Sequence, residues 1–197
     1  GRLRSNAGDD PWIARVRAEP AVIYGAWLKT YRPTKPVILA AEGFARAGGT
    51  EILQGTDIRV AGESAVLRVA QEQRGLFPMA DSTVRLRRQI GYAIAAEMLL
   101  CGEDLPARRA HELGLVNHVV PDGQALAKAR EIAARIAANG PLAVKAILAT
   151  LGETENMTEA EAFTIEQRHG MVAMSSEDAV EGPRAFLEKR PPVFKGR

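Results

Sequence analysis

Two adjacent glycines, Gly48 and Gly49, lie between an apolar run and a short helical stretch in "GFARAGGTEILQGTD", and a carboxylate, Glu51, follows two residues later. A helix start leaves backbone N–H groups without partners, and glycine, lacking a Cβ, lets another molecule approach those groups closely. Such a turn can hold an anion: a phosphate, or the oxygen of a thioester on its way to an enolate. Phosphate fits less well, because neither G-x-G-x-x-G nor G-x-x-x-x-G-K-[ST] is present and Glu51 would repel it. Beside an enolate, Glu51 can move a proton. Taken alone, the stretch is equally compatible with glycines that only relieve crowding and a Glu51 that is a solvated first-turn carboxylate.

The elements around the turn follow from punctuation and period. "VIYGAWLKTY" (22–31) predicts a helix that "RPTKP" stops. "VILAAE" (37–42) is a short apolar run bounded by Pro and Gly, which predicts a strand buried on both faces. "TEILQGTD" predicts a short helix, and "IRVAG" (58–62) and "AVLRVA" (65–70) further strands. From Ile90 the pattern becomes helical: a helix ending at Gly102, another from Pro106 to Gly114, "LVNHVV" as an extended link, then four helical stretches, the last interrupted at Gly182-Pro183. This predicts an α/β part over 1–88, carrying the glycine turn, and an all-helical part over 89–197.

Composition narrows the function classes. The chain has 197 residues, 46% hydrophobic and 25% charged, with 26 Lys+Arg against 24 Asp+Glu. A net charge of +2 without long single-sign runs points to neither nucleic acid nor a membrane surface. The single cysteine, Cys101, excludes an internal disulfide, fits a reducing compartment and reads as a buried filler. No apolar run spans a bilayer and the first residues lack a signal-peptide core, so a cytoplasmic protein is expected. The opening lacks Met and has loop-like composition, which suggests a fragment or processed form. His111, His118 and His169 show no metal-ligand spacing and read as structural.

Four segments taken together, "KPVILAAEGFARAGGTEILQGTDIRVAGESA", "RGLFPM", "AAEMLLCGEDLPARRAHELGLVNHVVPDG" and "SEDAVEGPRAFLEKRPPVFKGR", resemble in order and spacing the enoyl-CoA hydratase/isomerase (crotonase) superfamily, from Lys35 to Arg197. The resemblance implies a ββα-spiral core, truncated here at the amino end, with a C-terminal helical trimerisation region. It further implies homotrimers or dimers of trimers, acyl-CoA thioesters as substrates and no separate cofactor or metal. The similarity is greatest to the bacterial branch of fatty-acid or sterol side-chain degradation.

Carried over residue by residue, the family's glycine turn falls on Ala47, Gly48 and Gly49, with an oxyanion N–H at Gly48 and the acid/base glutamate at Glu51. The family's second oxyanion N–H comes from an A-G-x-D-L segment, to which only "NAGDD" (Ala7–Asp10) is similar, without the Leu. Counting back from Gly75 in "GLFP", the family's second glutamate position holds Gln71, which has no proton to trade. The adjacent Glu72 would serve only if the strand slipped by one residue, and reads as a solvated side chain. Asp81 occupies a turn that is glycine-rich in the family, where it could point into the acyl pocket or, the stronger expectation, cap the next helix. Phe194 and Lys195 could touch CoA or form a solvated end. The resemblance therefore implies an enoyl-CoA hydratase, an acyl-CoA isomerase, or a catalytically weak acyl-CoA-binding subunit.

Overall fold

The computed structural model describes residues 10–197, which form two compact units. The first runs to Arg32 and resumes over Ile38–Leu126; the second joins Pro33–Val37 to Ala127–Arg197.

In the first unit, α1 (Pro11–Ala18) starts at Asp10, whose carboxylate accepts the Trp12 N–H at 2.8 Å. Helix α2 (Val22–Ala26) is shorter than the sequence predicts. Leu28 takes a left-handed φ of 57° while its N–H and that of Lys29 close onto Gly25 and Tyr24, so the chain leaves the helix before Pro33 is reached.

Strand β1 (Ile38–Ala41) is followed at once by β2 (Phe44–Arg46), α3 (Gly48–Gln54), β3 (Ile58–Gly62) and β4 (Val66–Arg68). Next come α4 (Ser82–Gln89), α5 (Tyr92–Cys101), β5 (Leu105–Pro106), α6 (Ala107–Glu112) and β6 (His118–Val120). The strands alternate between two small sheets, ordered β1-β3-β6 and β2-β4-β5. β1 pairs parallel with β3 from Ile38 opposite Ile58, and β2 pairs parallel with β4 from Phe44 opposite Val66. Each turn of chain thus lays one strand in each sheet and returns through helix, the ββα repeat. The stretch expected as a link, "LVNHVV", supplies β6, the third strand of the first sheet. β2 and α4 carry too few apolar residues to be read from period alone.

The core between these layers is built from Leu53, Leu67, Leu86 and Leu115, all fully buried, with Ala61, Ala95, Met98 and Val116. β1 is buried only at Ala41, its other residues being half-buried, and so is not the doubly covered strand predicted. Cys101 is exposed rather than buried. Helix α5 is apolar on most of its circumference yet buries only Ala95 and Met98, so apolar neighbours were a poor guide to its covered side.

In the second unit, α7 (Ala125–Ala137), whose first two residues belong to the first unit, is followed by α8 (Pro141–Glu153), α9 (Glu159–Met174) and α10 (Glu177–Leu187). α8 packs along α9, which opens with a capping box between Thr158 and Glu161. α10 continues through Pro183 to Leu187. The C-terminal tail is held back on α10: Asp178 accepts the N–H groups of Lys195 and Gly196 at 2.6 and 2.9 Å. Phe194 packs against Gly140 and Gly182, so it is not a solvated end. Among the described residues no single helix is long and apolar enough to cross a membrane.

Candidate active site

The glycine turn is built by pinning both of its sides. Ala47 N–H donates to Arg68 O at 2.8 Å, prolonging the β2–β4 pairing, and the Ala47 carbonyl accepts the N–H groups of Thr50 and Glu51 at 3.0 Å each. Satisfying both sides puts Ala47 at φ 49°, ψ −116°, a conformation that costs a residue with a Cβ on the order of 1–3 kcal/mol. Gly48 and Gly49 then occupy the first turn of α3, where their N–H groups have no intrahelical acceptor. The fully buried Thr50 locks the rotation of the helix, its hydroxyl accepting Arg68 N–H at 2.9 Å and donating to Ala45 O at 2.5 Å.

That rotation carries Glu51 inward, to 3% exposure. It is therefore not a solvated first-turn carboxylate. One carboxylate oxygen, Oε2, accepts from Gln71 Nε2 at 3.0 Å; the other, Oε1, accepts from Ala80 N–H at 3.0 Å. Two N–H donors on two oxygens match an ionised carboxylate, which only accepts. Gln71 is presented from the start of a 3-10 turn over Glu72–Arg74, with its own Oε1 accepting Ala70 N–H at 3.1 Å. The structure thus brings Glu51 and Gln71 together, across the end of β4 from Ala47.

Gly48 needs its missing Cβ for a reason inside the chain: a Cβ there would lie 2.9 Å from Trp27 Nε1 and 3.3 Å from Trp27 Cε2. The indole roofs the turn, an arrangement that no local motif announces, because Trp27 is 21 residues away in sequence. At Gly49 a Cβ would meet only an ordinary contact, 3.7 Å from Ala45.

Two carboxyls depart from expectation. Asp81 stands at the amino end of α4 but its side chain makes no capping hydrogen bond. Instead, 6% exposed, it accepts from Arg85 Nη1 at 2.5 Å through Oδ2, while Oδ1 is buried without a hydrogen-bond partner. Burial, reinforced by the nearby Glu51 charge and opposed by Arg85 and Lys29, pushes the Asp81 carboxyl up to about 6. The sequence signal was its place in a turn that is glycine-rich in the family. Glu72 is not solvated: both carboxylate oxygens are buried without partners, against Gly102, where a Cβ would fall 2.2 Å from Oε1.

A cavity of about 340 Å³ opens beside the pair, lined by Ala47, Gln71, Ala70 and Leu76 and by Arg46, Arg68 and Arg74. Asp104 partly offsets this positive rim, 3.2 Å from Arg68 and 4.0 Å from Arg46. Of "NAGDD", Ala7–Asp9 lie outside the described residues, and Asp10 is the cap of α1. The histidines have partners or settings of their own: His111 Nδ1 is 2.9 Å from Val116 O, His169 Nε2 is 2.9 Å from Glu153, and His118 is exposed on β6. Among the described residues no three His, Cys, Asp or Glu side chains converge as a metal site would require.

Known proteins are similar to this chain over most of its length. The Enoyl-CoA hydratase/isomerase family profile matches residues 19–197. The enoyl-CoA hydratase EchA19 of Mycobacterium tuberculosis is 58% identical over 172 residues, covering 87% of this chain and 65% of that protein, so the chain spans just under two thirds of this relative's length. A crystal structure of an enoyl-CoA hydratase from Bacillus anthracis superposes with a TM-score of 0.88 at 34% identity, covering 99% of this chain and 75% of that one. An enoyl-CoA hydratase from Mycobacterium tuberculosis H37Rv superposes with a TM-score of 0.83 at 40% identity, covering 86% and 67%. A strained turn that presents helix N–H groups beside a buried glutamate, on a ββα-repeat fold matched over nearly its whole length, places this chain in the enoyl-CoA hydratase/isomerase family.

Proposed function

We propose that the protein hydrates enoyl-CoA thioesters, adding water across the α,β double bond. The observation that carries this reading is the buried Glu51, held by Gln71 and Ala80 N–H beside the first-turn N–H groups of α3. In the reaction, Gly48 N–H polarises the thioester oxygen, so that negative charge developing there meets a fixed donor. Glu51 takes a proton from water as the water oxygen bonds the β-carbon, and the π-electron pair moves toward the thioester. Gln71 orients the Glu51 carboxylate and the water. The arginine rim of the neighbouring cavity suits the phosphates of coenzyme A. The resemblance to hydratases of fatty-acid or sterol side-chain degradation, assembly as homotrimers or dimers of trimers, and a cytoplasmic setting belong to the same proposal.

Gln71 supports a second reading. As the single proton carrier of the pair, Glu51 takes a proton from the α-carbon of a β,γ-enoyl-CoA and returns it at the γ-carbon, an isomerisation that needs no second acid. The test is spectroscopic: hydration of crotonyl-CoA removes enoyl absorbance, whereas isomerisation of a β,γ-enoyl-CoA creates it. Glu51→Gln abolishes whichever activity is present. A chain whose melting temperature rises with acyl-CoA but which changes neither signal is a binding subunit and refutes both.

A further inference from the structure

The hydratase reading gives the thioester oxygen one donor, the N–H of Gly48. We propose that the indole N–H of Trp27 is a further donor to that same oxygen, so that the developing oxyanion lies between the side chain that closes α2 and the backbone that opens α3. The inference rests on the hydratase reading, and it names a side chain where that reading has only a peptide group.

Trp27 meets α3 at both of its ends. Its carbonyl oxygen lies 3.2 Å from where a Gly55 Cβ would stand, and its ring reaches back to Gly48, at the start of the helix. Gly48, Glu51 and Gly55 are spaced i, i+3, i+7 and share one face. The indole therefore lies along the stripe that carries the reacting carboxylate, and that stripe is bare of side chain at both ends, where Trp27 has to fit.

The ring turns its N–H edge to the glycine turn. The ring atoms nearest a Gly48 Cβ would be Nε1 at 2.9 Å, Cε2 at 3.3 Å and Cζ2 at 3.4 Å, the nitrogen foremost. A Cβ and the peptide nitrogen of one residue are about 2.5 Å apart, which puts Trp27 Nε1 no more than about 5.4 Å from Gly48 N. An oxygen accepting at about 2.9 Å from each of two donors tolerates a separation of up to about 5.8 Å. One acceptor atom thus reaches both. An indole N–H only donates, and among the described residues the Trp27 side chain makes no hydrogen bond that would occupy it.

The donor is fixed before substrate arrives. Tyr24 flanks the indole, with ring centroids 6.3 Å apart. Beyond Trp27 the chain is fastened to the segment that holds Glu51: Arg85 Nη2 donates to Leu28 O at 2.7 Å, and Lys29 Nζ donates to Met79 O at 2.5 Å, next to the Ala80 whose N–H binds Glu51. Between these anchors Leu28 holds a φ of 57°, a strained conformation for a residue with a Cβ, and this sets the direction in which the indole leaves the chain. No atom passes through Trp27. It keeps its proton, and its hydrogen bond strengthens as charge moves onto the thioester oxygen.

The experiment uses the full chain, which has two tryptophans, the other being Trp12, exposed on α1. In Trp12→Phe, the emission of Trp27 should change as the unreactive butyryl-CoA is added, saturating with the dissociation constant found by calorimetry. Trp27→Phe keeps an aromatic roof and removes the N–H; it should lower kcat for crotonyl-CoA by about 10²-fold while butyryl-CoA affinity stays within about threefold. Cinnamoyl-CoA separates donor from packing. Its enoyl absorbance moves to longer wavelength as the thioester oxygen is polarised, and the shift on binding the parent should shrink in Trp27→Phe. Unchanged Trp27 emission at saturating butyryl-CoA overturns the proposal, a measurement that leaves position 27 intact and so decides where Trp27→Phe fails to fold. Trp27→Phe with the parental rate, or with a lowered rate and the full parental cinnamoyl shift, also overturns it, and leaves the hydratase reading standing where Glu51→Gln is inactive. A parent that binds butyryl-CoA but never hydrates crotonyl-CoA refutes the hydratase reading, while the emission and the cinnamoyl shift still decide on Trp27. A chain that binds no acyl-CoA overturns both.

Discussion

Replacing Gln71 by glutamate puts a second carboxyl oxygen where an amide nitrogen now lies, 3.0 Å from Glu51 Oε2. Two full negative charges at that separation repel by about 5 kcal/mol at an effective dielectric constant of about 20. That repulsion favours keeping one proton between the two carboxyl groups. The variant thereby gains a proton donor 3 Å from the base, and general acid catalysis of this kind contributes typically about 10²- to 10⁴-fold. Gln71→Glu should raise crotonyl-CoA hydration at pH 7.5 by at least about 10-fold. The sign of the stability change follows from the same repulsion. Ionising both carboxyls restores the repulsion, so Gln71→Glu should melt progressively lower than the parent as pH rises. A parental hydration rate in a folded variant that still binds butyryl-CoA, together with a parental pH dependence of melting, would show that the two groups do not face each other, and the reasoning would fail.

Three further perturbations separate site from scaffold. Gly48→Ala drives a Cβ to within 2.9 Å of the Trp27 indole and should destabilise the first unit by about 1–3 kcal/mol, an effect that Trp27→Leu in the same chain largely reverses in chemical-denaturation melts. Because the carboxyl of Asp81 sits near 6 instead of 3.8, the parent should lose about 3 kcal/mol as pH rises from about 4 to about 6; Asp81→Asn should lack that decline in melts taken across the interval. Phe194→Ala should lower the melting temperature of the helical unit through lost packing on Gly140 and Gly182, at about 1–3 kcal/mol, while the dissociation constant for acyl-CoA stays parental; a weakened dissociation constant would return Phe194 to the ligand.

What could be read from sequence here is whatever short-range pattern controls. The boundaries of β3 are those of "IRVAG", the Gly102 cap ends α5 at a left-handed φ of 65°, and counting from Gly75 brings Gln71 opposite Glu51. Each depends on residues adjacent in the chain or on spacing kept by a short turn. Hidden features depend on distant partners. Trp27 reaches Gly48 because α2 ends at Ala26 with Trp27 as its C-cap, and nothing near Gly48 records that. Cys101 is exposed because the apolar character of α5 exceeds the area it buries within this chain, leaving Tyr92 and Leu100 exposed at 74% and 78%. Glu72 and Asp81 read from sequence as a solvated side chain and a cap because charged side chains are rarely buried without partners, and both break that rule.

Three such breaks lie together, though Leu28 and Lys189 at positive φ and Arg59 with an unpartnered Nε show others on other segments. Ala47 at positive φ, Glu72 with two unpartnered oxygens and Asp81 with one lie on the segments that surround the Glu51–Gln71 pair: the β2–α3 turn, the start of the 3-10 turn, and the start of α4. Each is costly by about 1–3 kcal/mol, and a fold selected for stability alone would relieve them with Gly at 47, an amide at 72 and Ser at 81. Strain and buried charge gathered around one carboxylate are what a site retains when its chemistry needs fixed N–H donors and proton affinities moved from their ordinary values. The contrast with Arg59 makes the point. That guanidinium is also buried, yet four carbonyl or amide oxygens, of Gln54, Thr56, Gln89 and Leu115, receive its hydrogen bonds. Arg59 is a brace, with both terminal nitrogens satisfied and only Nε left without a partner; Asp81 is equally buried, and half of its carboxylate is left open.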